Sequence, residues 1–157
     1  MDSSERLPLN RRMSTPMSTA GPLTAEDLQL LSRPLHGFLS VAGATQPPQP
    51  RPVWFEVTAE GTLQLFTEPD SLKVRRLNSD PRASIVVATP VGEREHWVSV
   101  AGRTTMEADG AADLCSRLAA RYWDLEDQAR ADDLATMLRG DFLRVVIHPE
   151  KVLRYAS

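Results

Sequence analysis

Apolar and polar residues alternate with a period of two through most of the middle of the chain. In "VWFEVTAEGTLQLFT" (53–67), Val53, Phe55 and Val57 fall on one face and Trp54 and Glu56 on the other. The turn Ala59-Glu60-Gly61 follows, after which Leu63 and Leu65 alternate with Gln64 and Phe66, a pattern that predicts a β-hairpin. "GFLSVAG" (37–43) and "ASIVVAT" (83–89) predict two further strands. In "REHWVSVAGRTTME" (94–107), Val98, Val100, Thr104 and Met106 share one face, and Trp97, Ser99, Ala101 and Arg103 the other. Gly102 stands mid-strand, where a barrel needs a bend or a bulge. "DFLRVVIHPEKVLRYAS" closes the chain with a strand. Between 44 and 52, "ATQPPQPRP" has four prolines in nine residues and predicts a rigid loop or an edge.

Helical periodicity separates these strands. Thr24 is an N-cap ahead of Ala25-Glu26-Asp27, with Leu28, Leu31 and Leu35 as the apolar stripe and Pro34 limiting the length. Asp70 or Ser71 caps a short helix through Asn78, stopped by Asp80-Pro81. From Asp109, "DGAADLCSRLAARYWDL" carries Leu114, Leu118 and Tyr122 on one face, and a further helix is expected over about 130–138. Short connections make the strands mostly antiparallel, and neither βαβ alternation nor a GxGxxG motif points to a Rossmann sheet. The expected fold is mainly β (α+β): a six-stranded antiparallel closed or split β-barrel with peripheral helices. Residues 1–21 are polar and aperiodic and are expected to be a disordered tail, leaving 22–157 as one barrel domain.

Composition narrows the function classes. A length of 157 residues, 41% hydrophobic and 25% charged, suits one soluble domain. A formal charge of -3 provides no global positive field for nucleic acid or anionic membrane, so any anion site must be local. Cys115, the single cysteine, excludes an intrachain disulfide and lies on the apolar face of its helix as an inert core thiol. No run of 18 apolar residues and no signal-peptide core is present, and a cytoplasmic protein is expected. His36, His96 and His148 are scattered without metal-ligand spacing, and no serine has a GxSxG context. No metal is expected, and no residue announces itself as a general acid or base.

Two features carry candidate chemistry. "EPDSLKVRRLNSDPR" packs Lys73, Arg75, Arg76 and Arg82 into ten positions. One reading is a solvated helix face, salt-bridged to Glu68, Asp70 and Asp80. The other starts from Lys73, a cation in the first turn, where the macrodipole opposes it by about 0.3–1 kcal/mol. An anion there would reverse the sign, because free backbone N–H groups, a hydroxyl of Ser71 or Thr67 and Lys73 would converge on it. Trp54, opposite the core face of its strand, is either a subunit contact or a wall for a planar ligand, and Trp97 shares that ambiguity.

The proline-rich approach to "PVWF", the hairpin ending "LFT", the Lys-x-Arg-x-Leu-x-x-Asp-Pro-Arg run at 73–82 and the strand "HWVSVAGR" together resemble the pyridoxamine 5'-phosphate oxidase-like split-barrel family. The resemblance covers about residues 24–154 and is nearest to the flavin/deazaflavin oxidoreductase branch, which uses FMN or coenzyme F420. It implies a homodimer with cofactor in grooves at the subunit interface. Lys73, with Ser71 and Thr67, would hold the cofactor phosphate, and Val53, Trp54 and Phe55 would line the ring by backbone and side chain. Arg75 and Arg76 would reach phosphate or an acidic tail. Many deazaflavin-type members resemble Lys-x-Arg-Asn-Leu, whereas this chain has Arg76 at the Asn position. The function expected is F420-dependent hydride transfer to a small conjugated substrate, with Trp97 a substrate-pocket candidate and the ring carrying the chemistry. The alternatives are an FMN-dependent oxidoreductase and a non-catalytic cofactor- or tetrapyrrole-binding dimer.

Overall fold

The computed structural model describes residues 18–19, 23–43 and 47–157. Eight strands form one antiparallel sheet: β1 (Ser18–Thr19), β2 (Gly37–Val41), β3 (Arg51–Val53), β4 (Glu56–Val57), β5 (Leu63–Thr67), β6 (Arg82–Ala88), β7 (His96–Glu107) and β8 (Leu143–Ala156). Four helices interleave them: α1 (Ala25–Leu31), α2 (Leu72–Ser79), α3 (Ala111–Tyr122) and α4 (Gln128–Met137). The strand order is β3-β2-β6-β7-β8-β5-β4, with β1 pairing β8 beside that path. Most of the expected tail lies outside the described residues; Ser18 and Thr19 of it pair with Arg154 and Leu153.

Of the two strands beyond the expected six, one is β1 and the other has a physical cause. The first arm of the expected hairpin is broken at Trp54 and Phe55. Its front half, β3, pairs with β2, whereas its rear half, β4, pairs with β5 as the hairpin pattern requires. The two edges of the sheet are therefore consecutive in the chain. From Val53 to Glu56 the backbone can span at most about 11 Å, so the sheet must curl until its edges meet. This is the split barrel, with Trp54-Phe55 at its seam. Pro52 lies in edge strand β3, where its missing N–H is tolerated.

The alternation read from the sequence sorts inside from outside. Leu39, Phe55, Leu63, Leu65, Ile85, Val87, Val98, Val100 and Ile147 are buried in one core, joined by Leu30 and Leu31 of α1. Thr24 forms a capping box with Asp27 at the start of α1. α3 lies against β5 and β8 and buries Leu114, Cys115 and Leu118. Burial pushes the Cys115 thiol above its ordinary value, as an inert core cysteine requires.

Gly102 makes the expected bulge. The register between β7 and β8 shifts between Ala101, opposite Lys151, and Gly102, opposite Pro149, so Glu150 is the extra residue. A Cβ on Gly102 would stand 1.9 Å from the His148 carbonyl oxygen and 2.8 Å from its carbon. That obstacle is backbone and cannot swing aside. Gly102→Ala is expected to destabilise the protein by about 2–3 kcal/mol, read as a lowered urea midpoint. An unchanged midpoint would show that the bulge yields freely.

Candidate functional site

The residues of the expected anion anchor come together at the start of α2. Ser71 is the N-cap, its Oγ accepting from the Val74 N–H at 3.3 Å. Thr67 Oγ1 lies 3.1 Å from Ser71 Oγ. Each hydroxyl has one proton, so one of the pair donates to the other and the remaining proton is free for a ligand. The Arg75 N–H bonds Ser71 O, which leaves the Leu72 and Lys73 N–H groups as the open donors of the first turn. Lys73 is half-buried, and burial pulls its ammonium below the ordinary lysine value of 10.5.

The salt-bridged reading of the basic cluster is realised at Arg82 alone. Among the described residues, Lys73, Arg75 and Arg76 form no ion pair. Asp80 turns instead to Arg82, with bonds of 2.9 and 2.6 Å. The Arg82 bonds hold the Asp80 carboxyl at about 2, and the pair closes the turn into β6. Arg75 is exposed and Arg76 half-buried. Gly43 approaches α2 so closely that a Cβ there would lie 2.5 Å from Arg76 O, with φ at +81°. The chain leaving β2 thus passes beside this helix at Gly43.

The seam supplies the second part. Val53 is half-buried at the end of β3. Phe55 is fully buried, so its side chain belongs to the core and only its backbone remains for a ligand, a correction to the expected lining role. Trp54 is on the outside of the barrel as the alternation predicts, but its own chain covers it. Its indole stacks on Tyr122 (5.3 Å, 4°) and meets Trp123 edge-on (4.7 Å, 89°) and Phe66 (6.4 Å, 70°). What stays open is a groove of about 230 Å³ lined by Pro52, Val53, Trp54 and Phe66. Next to Ser71, a cleft of about 710 Å³ opens between residues 66–70 and 136–142, with Phe66, Thr67, Met137 and Phe142 among its walls.

Trp97 does not join this cluster. It stacks on Tyr155 (6.3 Å, 17°) on the outer sheet face. The same face carries the cross-strand row Phe38, Val86, Ser99 and Leu153. Phe38 is 46% and Val86 37% exposed, high for apolar side chains paired across a sheet. Tyr122, Trp123 and Phe66 are the site residues that sequence reasoning missed. The signal for Tyr122 and Trp123 was the "RYW" at the end of α3, which reads as the end of a core stripe, and for Phe66 its place opposite the core face of β5. No group of three or more His, Cys, Asp or Glu side chains able to hold a metal occurs among the described residues.

Together these features define a split barrel in which a half-buried lysine and open N–H groups at the start of α2 accompany an aromatic-walled seam. The family model for pyridoxamine 5'-phosphate oxidase matches residues 23–152, and the chain belongs to that family. Among solved structures, a conserved hypothetical protein from Mycobacterium tuberculosis is 20% identical, with 84% of this chain and 83% of that chain covered and a TM-score of 0.68. An F420 reductase is 22% identical over 79% of this chain and 93% of its own, with a TM-score of 0.61. A FAD-binding protein from Mesorhizobium loti is 22% identical over 90% of this chain and 99% of its own, with a TM-score of 0.55. At these identities the likeness is one of fold. No curated protein sequence matches the chain. No helix among the described residues is long and apolar enough to cross a membrane.

Proposed function

We propose that this chain is an F420-dependent oxidoreductase, transferring a hydride between bound deazaflavin and a small conjugated substrate, with FMN as the alternative cofactor. The observation that carries this reading is Lys73: a half-buried cation without a counter-ion among the described residues, in a first turn that has two open N–H groups and a free hydroxyl proton. Such a cation is unfavourable alone, and an oxyanion converts it into a charge-assisted contact. The residues present therefore fit a cofactor phosphate. Arg75 and Arg76, also free of ion pairs, suit a polyanionic tail, which favours F420 over the single phosphate of FMN. The F420 reductase and the FAD-binding protein that share the fold support a flavin or deazaflavin class. When bound, the cofactor supplies the hydride chemistry. The chain holds its phosphate at Lys73 and Ser71 and sets its ring against Trp54 and the backbone of residues 53–55.

Titration of the purified protein with F420 and with FMN, followed by cofactor fluorescence, tests this. F420 binding at micromolar concentration is expected. Binding of FMN alone would move the assignment to the alternative, and binding of neither would end it. Turnover with a panel of conjugated acceptors separates an enzyme from a non-catalytic carrier.

The working form proposed is a homodimer joined through the outer face of β2, β6, β7 and β8. A second copy on that face would cover Phe38 and Val86 and carry Trp97 toward the partner's groove. Val86→Glu is expected to weaken dimerisation at least about tenfold by burying like charges across the two-fold axis. Sedimentation equilibrium of wild type and variant measures it. A wild type that stays monomeric at tens of micromolar, on the order of ordinary interface affinities, removes the dimer.

A further inference from the structure

The last turn of α3 reaches two separate backbone segments. Arg121 Nη2 donates to Leu31 O at 2.9 Å and to Arg33 O at 2.5 Å, fixing the link between α1 and β2. Tyr122 reaches further. Trp54 and Phe55 lie outside the ladders, because β3 ends at Val53 and β4 begins at Glu56. The N–H of buried Phe55 therefore has no strand partner and needs another acceptor. Tyr122 Oη lies 3.4 Å from it, 2.7 Å from Leu35 O and 3.4 Å from Phe55 O. A phenol has one proton to give and lone pairs to accept with. The hydroxyl donates to the nearer carbonyl, Leu35 O, and accepts from the Phe55 N–H. Meanwhile the Tyr122 ring lies flat against Trp54, 4° from parallel, with Trp123 and Phe66 closing two further sides of the indole.

We propose that Tyr122 is a positioning residue for the ring-binding seam: its hydroxyl fixes the Phe55 backbone and its ring fixes the plane of Trp54. The groove beside Trp54 is thereby set before a flat ligand enters, and less freedom is lost on binding. The inference rests on the proposed role of residues 53–55 in holding the cofactor ring. Tyr122 itself touches no ligand in this scheme and acts through Trp54 and Phe55. Its hydroxyl and its ring are separable, which makes two variants informative. Tyr122→Phe removes the bridge and keeps the stack; Tyr122→Leu removes both.

In the ligand-free protein, amide exchange at Phe55 is expected to rise at least about tenfold in Tyr122→Phe while β6 and β7 keep their protection. The near-ultraviolet circular dichroism of the stacked rings should survive in Tyr122→Phe and collapse in Tyr122→Leu. With cofactor present, Tyr122→Leu is expected to raise Kd at least about threefold, because the seam must then be ordered on binding, while Tyr122→Phe, which keeps the stack, should stay closer to wild type. The circular dichroism induced in the bound ring should fall in Tyr122→Leu. Unchanged Phe55 exchange in Tyr122→Phe, or a loss of protection spread evenly over the barrel, overturns the proposal. So does an unaltered induced signal in Tyr122→Leu. Should the wild type bind neither F420 nor FMN, the functional reading falls, while the ligand-free exchange and dichroism still decide whether Tyr122 holds the seam.

Discussion

Lys73→Ala is expected to weaken F420 binding at least tenfold, about 1.4 kcal/mol, while leaving the thermal stability of the ligand-free protein unchanged or slightly higher. The two halves of that result have one cause. Lys73 is partly removed from water without a compensating carboxylate among the described residues, so in the free protein its ammonium is a liability. Only an anion repays that desolvation, and the variant removes the liability and the anchor together. The pH dependence follows with a definite sign. The folded protein holds the Lys73 proton less tightly than the unfolded chain, whose lysine titrates near the ordinary 10.5. The destabilisation from this group is therefore fully present below the lowered folded value and disappears as pH rises from there toward 10.5. Cofactor affinity should run the other way, declining as pH rises through the same window, because the anion needs the charged form. The measurement is a set of fluorescence titrations from neutral pH to pH 10.5 on wild type and variant. An affinity flat across that range, or a variant binding as tightly as wild type, would show that the phosphate is held elsewhere.

That the cluster at 73–76 is free of ion pairs was not legible in the sequence. Glu68, Asp70 and Asp80 all lie within reach along the chain, and which carboxylate turns to which cation is set by the turn at Asp80-Pro81. There the bidentate Arg82 contact captures the nearest candidate. The local devices were legible for the opposite reason. Thr24 and Ser71 cap their helices with their own side chains, and Gly102 marks a bulge because no other residue has room there. Strand alternation likewise sorted the core. It failed only at the seam, because alternation continues unbroken through Trp54 and Phe55 while the pairing partner changes from β2 to β5. Partner choice is a long-range property with no periodicity of its own. Tyr122 escaped for a related reason: the helical stripe that buries Leu114 and Leu118 also ends on it. Nothing in that spacing distinguishes a core tyrosine from one whose hydroxyl bridges two backbone segments.

The largest stability effect is expected at the ion pair that ties α1 to β8. Asp27 is 1% exposed, and Arg154 grips it through Nε at 3.0 Å and Nη2 at 2.7 Å, while the Thr24 N–H supplies a further bond at 2.8 Å. Burial works to raise the Asp27 carboxyl, but the Arg154 and Thr24 bonds outweigh it and hold the group below the ordinary 3.8. The stabilisation is thus fully present above about pH 3.8 and is lost as pH falls through the depressed folded value. Arg154→Met keeps the aliphatic packing and strands the carboxylate, so the loss at pH 7 should be about 3–5 kcal/mol. Without the arginine the Asp27 carboxyl titrates higher than in wild type, although the Thr24 bonds still act to lower it. The variant's folded state therefore takes up a proton more readily than the wild type's, and the variant gains relative to wild type as pH falls. Urea unfolding of both proteins at pH 7 and again near pH 4 separates this from simple loss of packing. A gap that narrows toward acid is the signature of a stranded carboxylate. A gap of the same size at both pH values would mean that the loss comes from packing that Met does not reproduce, and that the charge pair between α1 and β8 adds nothing of its own.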